Sequence, residues 1–235
     1  QVVVSSGAKH LVYLALRAVV NPGDEVILPA PYWVSYIELI KMVGGVPVVV
    51  TATEAEHFKL TAEKLSAAIT PRTKAIILNN PNNPTGVIYS AEMLKKLGAL
   101  LEEKGKEFGT VIYVIADEPY RELAYDGAEV PWLPDCCKNT IVGYSWSKSL
   151  SLPGERIGYL VIPSDIVDAQ LIIDAAVVAN RMLGFVNAPS LMQLAVARCL
   201  DASTDIAAYD ANRKLLYNGL HELGYECEYP AGAFY

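Results

Sequence analysis

The chain has no long uncharged stretch of the kind that crosses a membrane. Within its 235 residues no apolar run reaches the roughly 18 residues that a spanning helix needs. Basic residues are also too few to dominate a surface, because 19 Lys and Arg stand against 26 Asp and Glu and the net charge is −7. This balance argues against a nucleic-acid-binding surface, and we expect a cytoplasmic protein without membrane or nucleic-acid partners.

Cysteine and histidine, which are common zinc ligands, are scarce. The chain has four cysteines and three histidines, with no Cys-x-x-Cys pair and no metal-ligand spacing between the two residue types. We therefore expect no metal site, reduced cysteines, and histidines in structural or surface positions. These residues are Cys136, Cys137, Cys199, Cys227, His10, His57 and His221.

What the chain has in quantity is apolar sequence, at 52% of its residues. Several short runs are nearly continuous in Val, Ile and Ala, which is typical of strands covered on both faces. They alternate with helical stretches, one of which starts with Thr61 as N-cap and with Leu60 and Leu65 at the positions of a hydrophobic staple. This alternation predicts an α/β fold with three layers, in which a mostly parallel seven-stranded sheet carries helices on both faces. The predicted strands are 2–5, 25–30, 46–52, 74–79, 111–117, 140–145 and 157–162, and the predicted helices are 8–20, 32–43, 61–69, 90–105, 164–181, 188–200 and 203–223.

The most informative residue is Lys148, within Tyr144–Arg156. Serines flank this lysine, and Arg156 follows eight positions later. A pyridoxal phosphate site requires one amine to form a Schiff base with the aldehyde, and hydroxyls and a guanidinium to hold the phosphate. Taken alone, the segment also fits a solvated turn before a strand, which is the commoner meaning of such a pattern.

Three upstream segments would complete the same site. Ser5–His10 lies between an apolar strand and a helix, and a helix N-terminus can bind a phosphate. Asn79–Gly86 contains two Asn-Pro steps, which favour a rigid loop and can support a cis bond. Tyr113–Tyr120 contains an apolar strand that ends in Asp117, and Tyr120 follows three residues later. Burial of that carboxylate calls for a cation such as a protonated pyridine nitrogen. Each segment alone also fits an ordinary turn or helix cap.

With these segments in this order, the chain resembles the class I/II aminotransferases of the aspartate aminotransferase superfamily, which are fold type I enzymes. The resemblance runs over nearly the whole chain and includes Asn21–Ile27, Pro31–Tyr36 and Gly232–Tyr235. It implies transfer of an amino group between an α-amino acid and a 2-oxo acid. It also implies pyridoxal 5'-phosphate as the cofactor and a homodimer as the assembly.

The resemblance gives each matching residue an expected role. Lys148 would form the Schiff base and then carry the substrate proton. Asp117 would pair with the pyridinium nitrogen, Tyr120 and Asn83 would hydrogen-bond the phenolic oxygen, and Trp33 would stack on the pyridine ring. The residues expected to hold the phosphate are Gly7, Ala8, Lys9, Ser145, Ser147 and Arg156.

The resemblance also implies that residues 1–235 form the cofactor-binding large domain. An N-terminal segment, a C-terminal small domain and the arginine for the substrate α-carboxylate would lie outside it. Two other classes of function stay open, another enzyme on the same scaffold and a ligand-sensing module. Ser145–Lys148 and Leu152–Gly154 also resemble an aminocyclopropane-carboxylate-synthase-like enzyme, and a carbon–sulfur lyase uses the same scaffold. A cofactor-sensing module of a transcription regulator is the other alternative.

Overall fold

A single sheet of seven strands organises the fold in this computed structural model, which describes residues 1–183 and 186–235. Its spatial order is β1-β7-β6-β5-β4-β2-β3. Strand β7 runs antiparallel to both of its neighbours, and the other six strands run in one direction. The predicted mostly parallel seven-stranded sheet is confirmed. The strands are β1 (Val2–Ser5), β2 (Glu25–Ala30), β3 (Val46–Thr51), β4 (Thr73–Asn79), β5 (Tyr113–Asp117), β6 (Thr140–Ser145) and β7 (Gly158–Val161).

Helices cover both faces of this sheet. Successive strand side chains point to opposite faces, so Ile76 packs in one hydrophobic cluster while Ala75 and Ile77 pack in the other. The cluster around Ala75 contains residues of α1, α2 and α6, and the cluster around Ile76 contains residues of α3 and α4. The described helices are α1 (Ala8–Val19), α2 (Ser35–Met42), α3 (Ala62–Ala68), α4 (Ala91–Phe108), α5 (Trp146–Ser149), α6 (Ala169–Met182), α7 (Ser190–Val196) and α8 (Ile206–Glu222).

The start of α3 follows the predicted chemistry. Thr61 is its N-cap, and the hydroxyl oxygen of this residue accepts a hydrogen bond from the backbone N–H of Lys64. Leu60 and Leu65, on either side of the cap, are fully buried in the same cluster. The cap therefore fixes the point at which the chain turns from the loop after β3 into the helix.

Some predicted helix bounds are wrong. Helix α6 begins at Ala169 rather than at 164, because Asp168 has a left-handed backbone (φ 57) that interrupts a helix. Helix α2 begins at Ser35 rather than at 32, so Trp33 lies in the preceding loop. Helix α5 was not predicted at all.

The strand directions bring the candidate residues to one edge of the sheet. Asn79, the last residue of β4, lies beside Asp117, the last residue of β5. Asp117 in turn lies beside Gly143 of β6, which ends two residues later at Ser145. Ligands of open α/β sheets bind at this carboxyl edge.

Among the described residues, no helix has both the length and the apolar character to cross a membrane.

Candidate active site

A cavity of about 190 Å³ opens at the carboxyl edge of the sheet. All the residues predicted for the site line it, except Gly7. The lining draws on separate parts of the fold: Trp33 precedes α2, Asp117 ends β5 and Lys148 lies in α5. Five lining residues were not predicted: Tyr36, Asn79, Pro119, Pro153 and Tyr235.

The floor of the cavity carries a buried carboxylate with an unmatched oxygen. Asp117 is only 4% exposed, and its Oδ2 accepts a hydrogen bond from the Tyr36 hydroxyl. Its Oδ1 is buried without a hydrogen-bond partner among residues 1–183 and 186–235. Burial raises the pKa of this carboxyl to about 6, and the Tyr36 hydrogen bond partly opposes that shift. Such a group gains most from a cationic N–H donor at Oδ1.

An amide and two phenols form a hydrogen-bonded cluster beside this carboxylate. The Asn83 side-chain nitrogen donates to the Tyr235 hydroxyl at 2.9 Å and to the Tyr120 hydroxyl at 3.4 Å. The two hydroxyl oxygens lie 2.7 Å apart. Burial, with the Tyr235 hydrogen bond next, raises the pKa of Tyr120 well above its ordinary value. Tyr120 therefore stays a hydroxyl donor at neutral pH.

Asn79 fixes the loop that carries this amide. Its side-chain nitrogen donates to the Asp117 backbone carbonyl at 2.7 Å, and its side-chain oxygen accepts from the Asn83 backbone N–H at 2.6 Å. The two Asn-Pro bonds of the loop, after Asn80 and Asn83, are both cis. Asn79 thus ties Asn83 to β5, the strand that supplies the Asp117 carboxylate.

Lys148 supplies the cavity's amine. Its Nζ lies 5.9 Å from the centre of the Tyr120 ring and 5.0 Å from the centre of the Phe234 ring. Burial lowers the pKa of this lysine, and the Arg156 guanidinium lowers it further. A lysine with a lowered pKa is a better nucleophile and proton acceptor near neutral pH.

The opposite end of the cavity is built for an anion. Helix α1 begins at Ala8, so its first unpaired N–H groups and its positive dipole end face this region. Arg156 donates to the Pro153 carbonyl at 2.7 Å and to the Ser6 carbonyl at 3.4 Å, which holds the guanidinium at the cavity wall. The buried Ser145 hydroxyl has no hydrogen-bond partner in the described part of the chain.

Gly7 contributes by making room for that guanidinium. Its φ is +82, and a Cβ built on it would lie 2.5 Å from Arg156 Nη2. A side chain at this position would displace Arg156, so Gly7 shapes the anion end without lining the cavity.

Trp33 lies at the cavity mouth in the loop before α2. Its ring packs edge-on against Tyr36 at 5.3 Å between ring centroids, and Lys9 Nζ lies 5.5 Å from its ring centroid. Trp33 is therefore held on one side by the phenol that binds Asp117 and on the other by a cation from α1.

The chain matches known aminotransferases over its whole length. The family model described as aminotransferase class I and II covers residues 1–235. The chain belongs to this family. It is 39% identical to the aspartate aminotransferase of Geobacillus stearothermophilus over 245 residues, which is 100% of this chain and 59% of that protein.

Solved structures of the family share its fold. An aminotransferase from Eubacterium rectale matches with a TM-score of 0.95 and 45% identity, over 99% of this chain and 58% of that one. A Thermus thermophilus aspartate aminotransferase mutant matches with a TM-score of 0.86 and 32% identity, over 99% of this chain and 62% of that one. The chain thus spans about three fifths of the length of these relatives.

The family's cofactor is pyridoxal 5'-phosphate, and the cavity of this chain fits it. The buried Asp117 Oδ1 needs a positively charged donor, and the buried Ser145 hydroxyl needs an acceptor. A protonated pyridine ring and a phosphate are such groups. No cluster of three or more potential metal ligands occurs among the described residues.

Three polar residues of the cavity escaped the sequence reasoning. Asn79 begins the Asn-Pro loop and Tyr235 ends Gly232–Tyr235, which was noted for its resemblance to the family, so their positions offered a signal. Tyr36 also ends a noted segment, Pro31–Tyr36, but a tyrosine in an apolar helix face is normally a packing residue, so no role followed for its hydroxyl. Only the fold shows that its hydroxyl reaches Asp117.

Proposed function

We propose that this chain is the cofactor-binding large domain of a pyridoxal 5'-phosphate-dependent aminotransferase. The observation that supports this most is the single cavity that brings together Lys148, the half-paired Asp117 and the Arg156 anion end. Asp117 would hold the pyridine ring nitrogen, and Tyr120 with Asn83 would hydrogen-bond the phenolic oxygen. Trp33 would cover one face of the ring.

The anion end would hold the phosphate by a combination of backbone and side-chain donors. A guanidinium offers a planar pair of donors that matches a phosphate, and a lysine there would be a poorer substitute. The N–H groups at the start of α1 add donors without any side-chain charge. Ala8, Lys9, Ser145, Ser147 and Arg156 would share this task, with Gly7 keeping space for the guanidinium.

Lys148 is the proposed proton carrier. When bound, the cofactor supplies an electron sink for the negative charge that develops on the substrate α-carbon. Lys148 Nζ would first hold the cofactor covalently and, once displaced by the substrate amine, would take the α-proton and return it to the former aldehyde carbon of the cofactor. Burial and the Arg156 guanidinium lower the pKa of Lys148, which favours the unprotonated amine that this role needs.

The substrates proposed are an α-amino acid and a 2-oxo acid. Similar proteins include aspartate aminotransferases of Geobacillus stearothermophilus and Bacillus subtilis, and an asparagine–oxo-acid transaminase of Streptococcus mutans. These names support aspartate as the first amino acid to assay.

A cytoplasmic homodimer is part of the proposal. All four cysteines are free, which is usual in a reducing compartment. Apolar side chains on α6 and α7 are exposed, among them Leu171, Met182, Leu191 and Leu194. Exposed apolar side chains gathered on two helices are typical of a protein–protein interface.

The proposal is tested by amino-group transfer. The protein loaded with pyridoxal 5'-phosphate is mixed with aspartate and 2-oxoglutarate, and glutamate and oxaloacetate are quantified. We expect both products in equal amounts, and a loss of at least about a hundredfold in Lys148→Ala, because the variant lacks the proton carrier. Ammonia release without glutamate would indicate elimination, and equal rates in the two proteins would contradict the proposal.

A further inference from the structure

We propose that Glu122 and Tyr144 are positioning residues that hold the Lys148 turn against the cofactor through Ser149. This inference rests on the function proposed above, since it concerns how the reactive amine is placed. Neither Glu122 nor Tyr144 lines the cavity.

A short chain of hydrogen bonds runs from the lysine turn to the segment after Tyr120. The Ser149 and Tyr144 hydroxyl oxygens lie 2.6 Å apart, and the Tyr144 hydroxyl donates to Glu122 Oε1 at 2.7 Å. Ser149 is the residue after Lys148, and Glu122 lies two residues after Tyr120. The chain therefore links the segment that carries the amine to the segment that carries Asp117 and Tyr120.

The direction of these bonds is fixed by the number of protons. A tyrosine hydroxyl has one proton, and Tyr144 uses it toward the carboxylate, so Ser149 must donate to Tyr144. Burial raises the pKa of Tyr144 well above its ordinary value, which keeps that proton in place. Tyr144 and Ser149 are both buried, and buried hydrogen bonds hold their partners more firmly than exposed ones.

The turn needs such an anchor because it is too short to be stable alone. Helix α5 has four residues, Trp146–Ser149, and Ser145 before it makes no side-chain capping hydrogen bond. Isolated helices of this length do not persist in water. The side-chain conformation of Lys148 and its position in the cavity therefore depend on the contacts that hold the neighbouring residues of α5.

Aromatic packing is the competing explanation for how the turn is held. Tyr144, Trp146 and Tyr159 pack on one another, with ring centroids 5.1 to 5.7 Å apart. If packing alone fixes the turn, removing the Tyr144 hydroxyl will have no more effect than removing the hydroxyl of Tyr159, which lies outside the hydrogen-bonded chain. Tyr159→Phe is therefore the matched control for Tyr144→Phe.

Glu122 allows a second, independent comparison. In Glu122→Gln the amide oxygen can still accept the Tyr144 proton, whereas in Glu122→Leu no group at position 122 accepts it and the link to the segment after Tyr120 is lost. The Gln variant should rescue what the Leu variant loses. This pair also keeps the test informative if Tyr144→Phe does not fold.

The measurement is the rate at which the chain forms its visible imine band with pyridoxal 5'-phosphate, followed over a range of cofactor concentrations. Borohydride trapping and peptide mapping confirm that the label is on Lys148. In Tyr144→Phe and Glu122→Leu we expect the saturating rate constant to fall about three- to tenfold, the value of one hydrogen bond. The concentration for half-maximal rate should stay within about twofold, because the phosphate end is unchanged.

The double variant should be no slower than either single one, since both changes remove the same link. Wild-type rates in both single variants, an equal loss in Tyr159→Phe, or no rescue by Glu122→Gln would overturn the inference. A wild-type protein that forms no band at Lys148 would instead overturn the proposed function, so the two failures are distinguishable.

Discussion

Asp117 shows how a single residue carries both a cost and a function. A carboxylate at the end of a buried strand loses its hydration, and the hydrogen bond from Tyr36 satisfies only one of its two oxygens. Its pKa of about 6 measures that cost against an ordinary value of 3.8. A pyridinium would bind the same unpaired oxygen, Oδ1. Cofactor binding would therefore offset the free-energy cost of burying this carboxylate.

This cost makes the stability of the cofactor-free protein depend on pH. Because the folded protein holds the Asp117 proton more tightly than the unfolded chain, stability is highest below pH 4 as far as this group is concerned and is lost as pH rises from about 4 to about 6. Asp117→Asn cannot titrate. We expect the variant to gain on the order of 3 kcal/mol relative to wild type across that window.

The measurement is urea unfolding of both apoproteins from pH 4 to pH 8. Parallel stability curves for the two proteins would contradict this account of Asp117. Loading the wild type with pyridoxal 5'-phosphate should reduce the pH dependence of its unfolding free energy. A cation at Oδ1 lowers the pKa of the Asp117 carboxyl again.

Residues such as Asp117 and Lys148 could be predicted because their type is unusual for their place, a carboxylate closing an apolar strand and an amine among serines. Tyr36 could not. Its contribution depends on where α2 lies over the sheet, and that position is set by packing between distant segments.

At the level of elements, the turn into α1 depends on the absence of a side chain. Gly7→Ala should displace Arg156, because the new Cβ would lie 2.5 Å from Nη2. We expect cofactor affinity to fall by about tenfold or more, the value of one charge-assisted hydrogen bond to the phosphate. Equilibrium titration with pyridoxal 5'-phosphate measures it.

Gly23→Ala is the matched control for this change. Gly23 has a similar φ of +90, but nothing lies within 4 Å of a Cβ built there. Both variants should lose on the order of 1–3 kcal/mol of stability, because each glycine has a positive φ that strains an alanine. Only Gly7→Ala should lose affinity, and an equal loss in both would show that strain rather than crowding is responsible.

The elements themselves differ in how far the sequence predicts them. Strands β2, β4 and β6 were predicted closely because both of their faces are buried and their apolar runs are continuous. Helix α5 was missed because four residues show no periodicity. The start of α6 was misplaced because a left-handed Asp168 leaves no clear mark in the sequence.

On the scale of the whole molecule, the class of fold follows from alternating strands and helices, but the strand order does not. The sequence does not show that β7 lies between β1 and β6, antiparallel to both. That arrangement depends on long-range pairing, and it is what brings Ser5 and Ser145 to opposite sides of Gly158.

The surface of α6 and α7 also belongs to this scale. Leu191 is 74% exposed on α7, and we expect it to be covered in a homodimer. Leu191→Glu should shift the protein from dimer to monomer in sedimentation velocity, because an interface core does not accommodate an unpaired charge.

Leu223→Glu serves as its control, since Leu223 is 76% exposed at the end of α8 and away from these two helices in the chain. A monomeric wild type, or equal dissociation in the two variants, would contradict the proposed assembly face.

The central claim is that Lys148 is the amine of a formed cofactor site. The most direct measurement is to incubate the protein with pyridoxal 5'-phosphate, reduce it with borohydride, and locate the modified lysine by peptide mass, with Lys148→Ala beside it. The account predicts one label per chain, on Lys148, and none in the variant. Label spread over surface lysines, unchanged in Lys148→Ala, would contradict it.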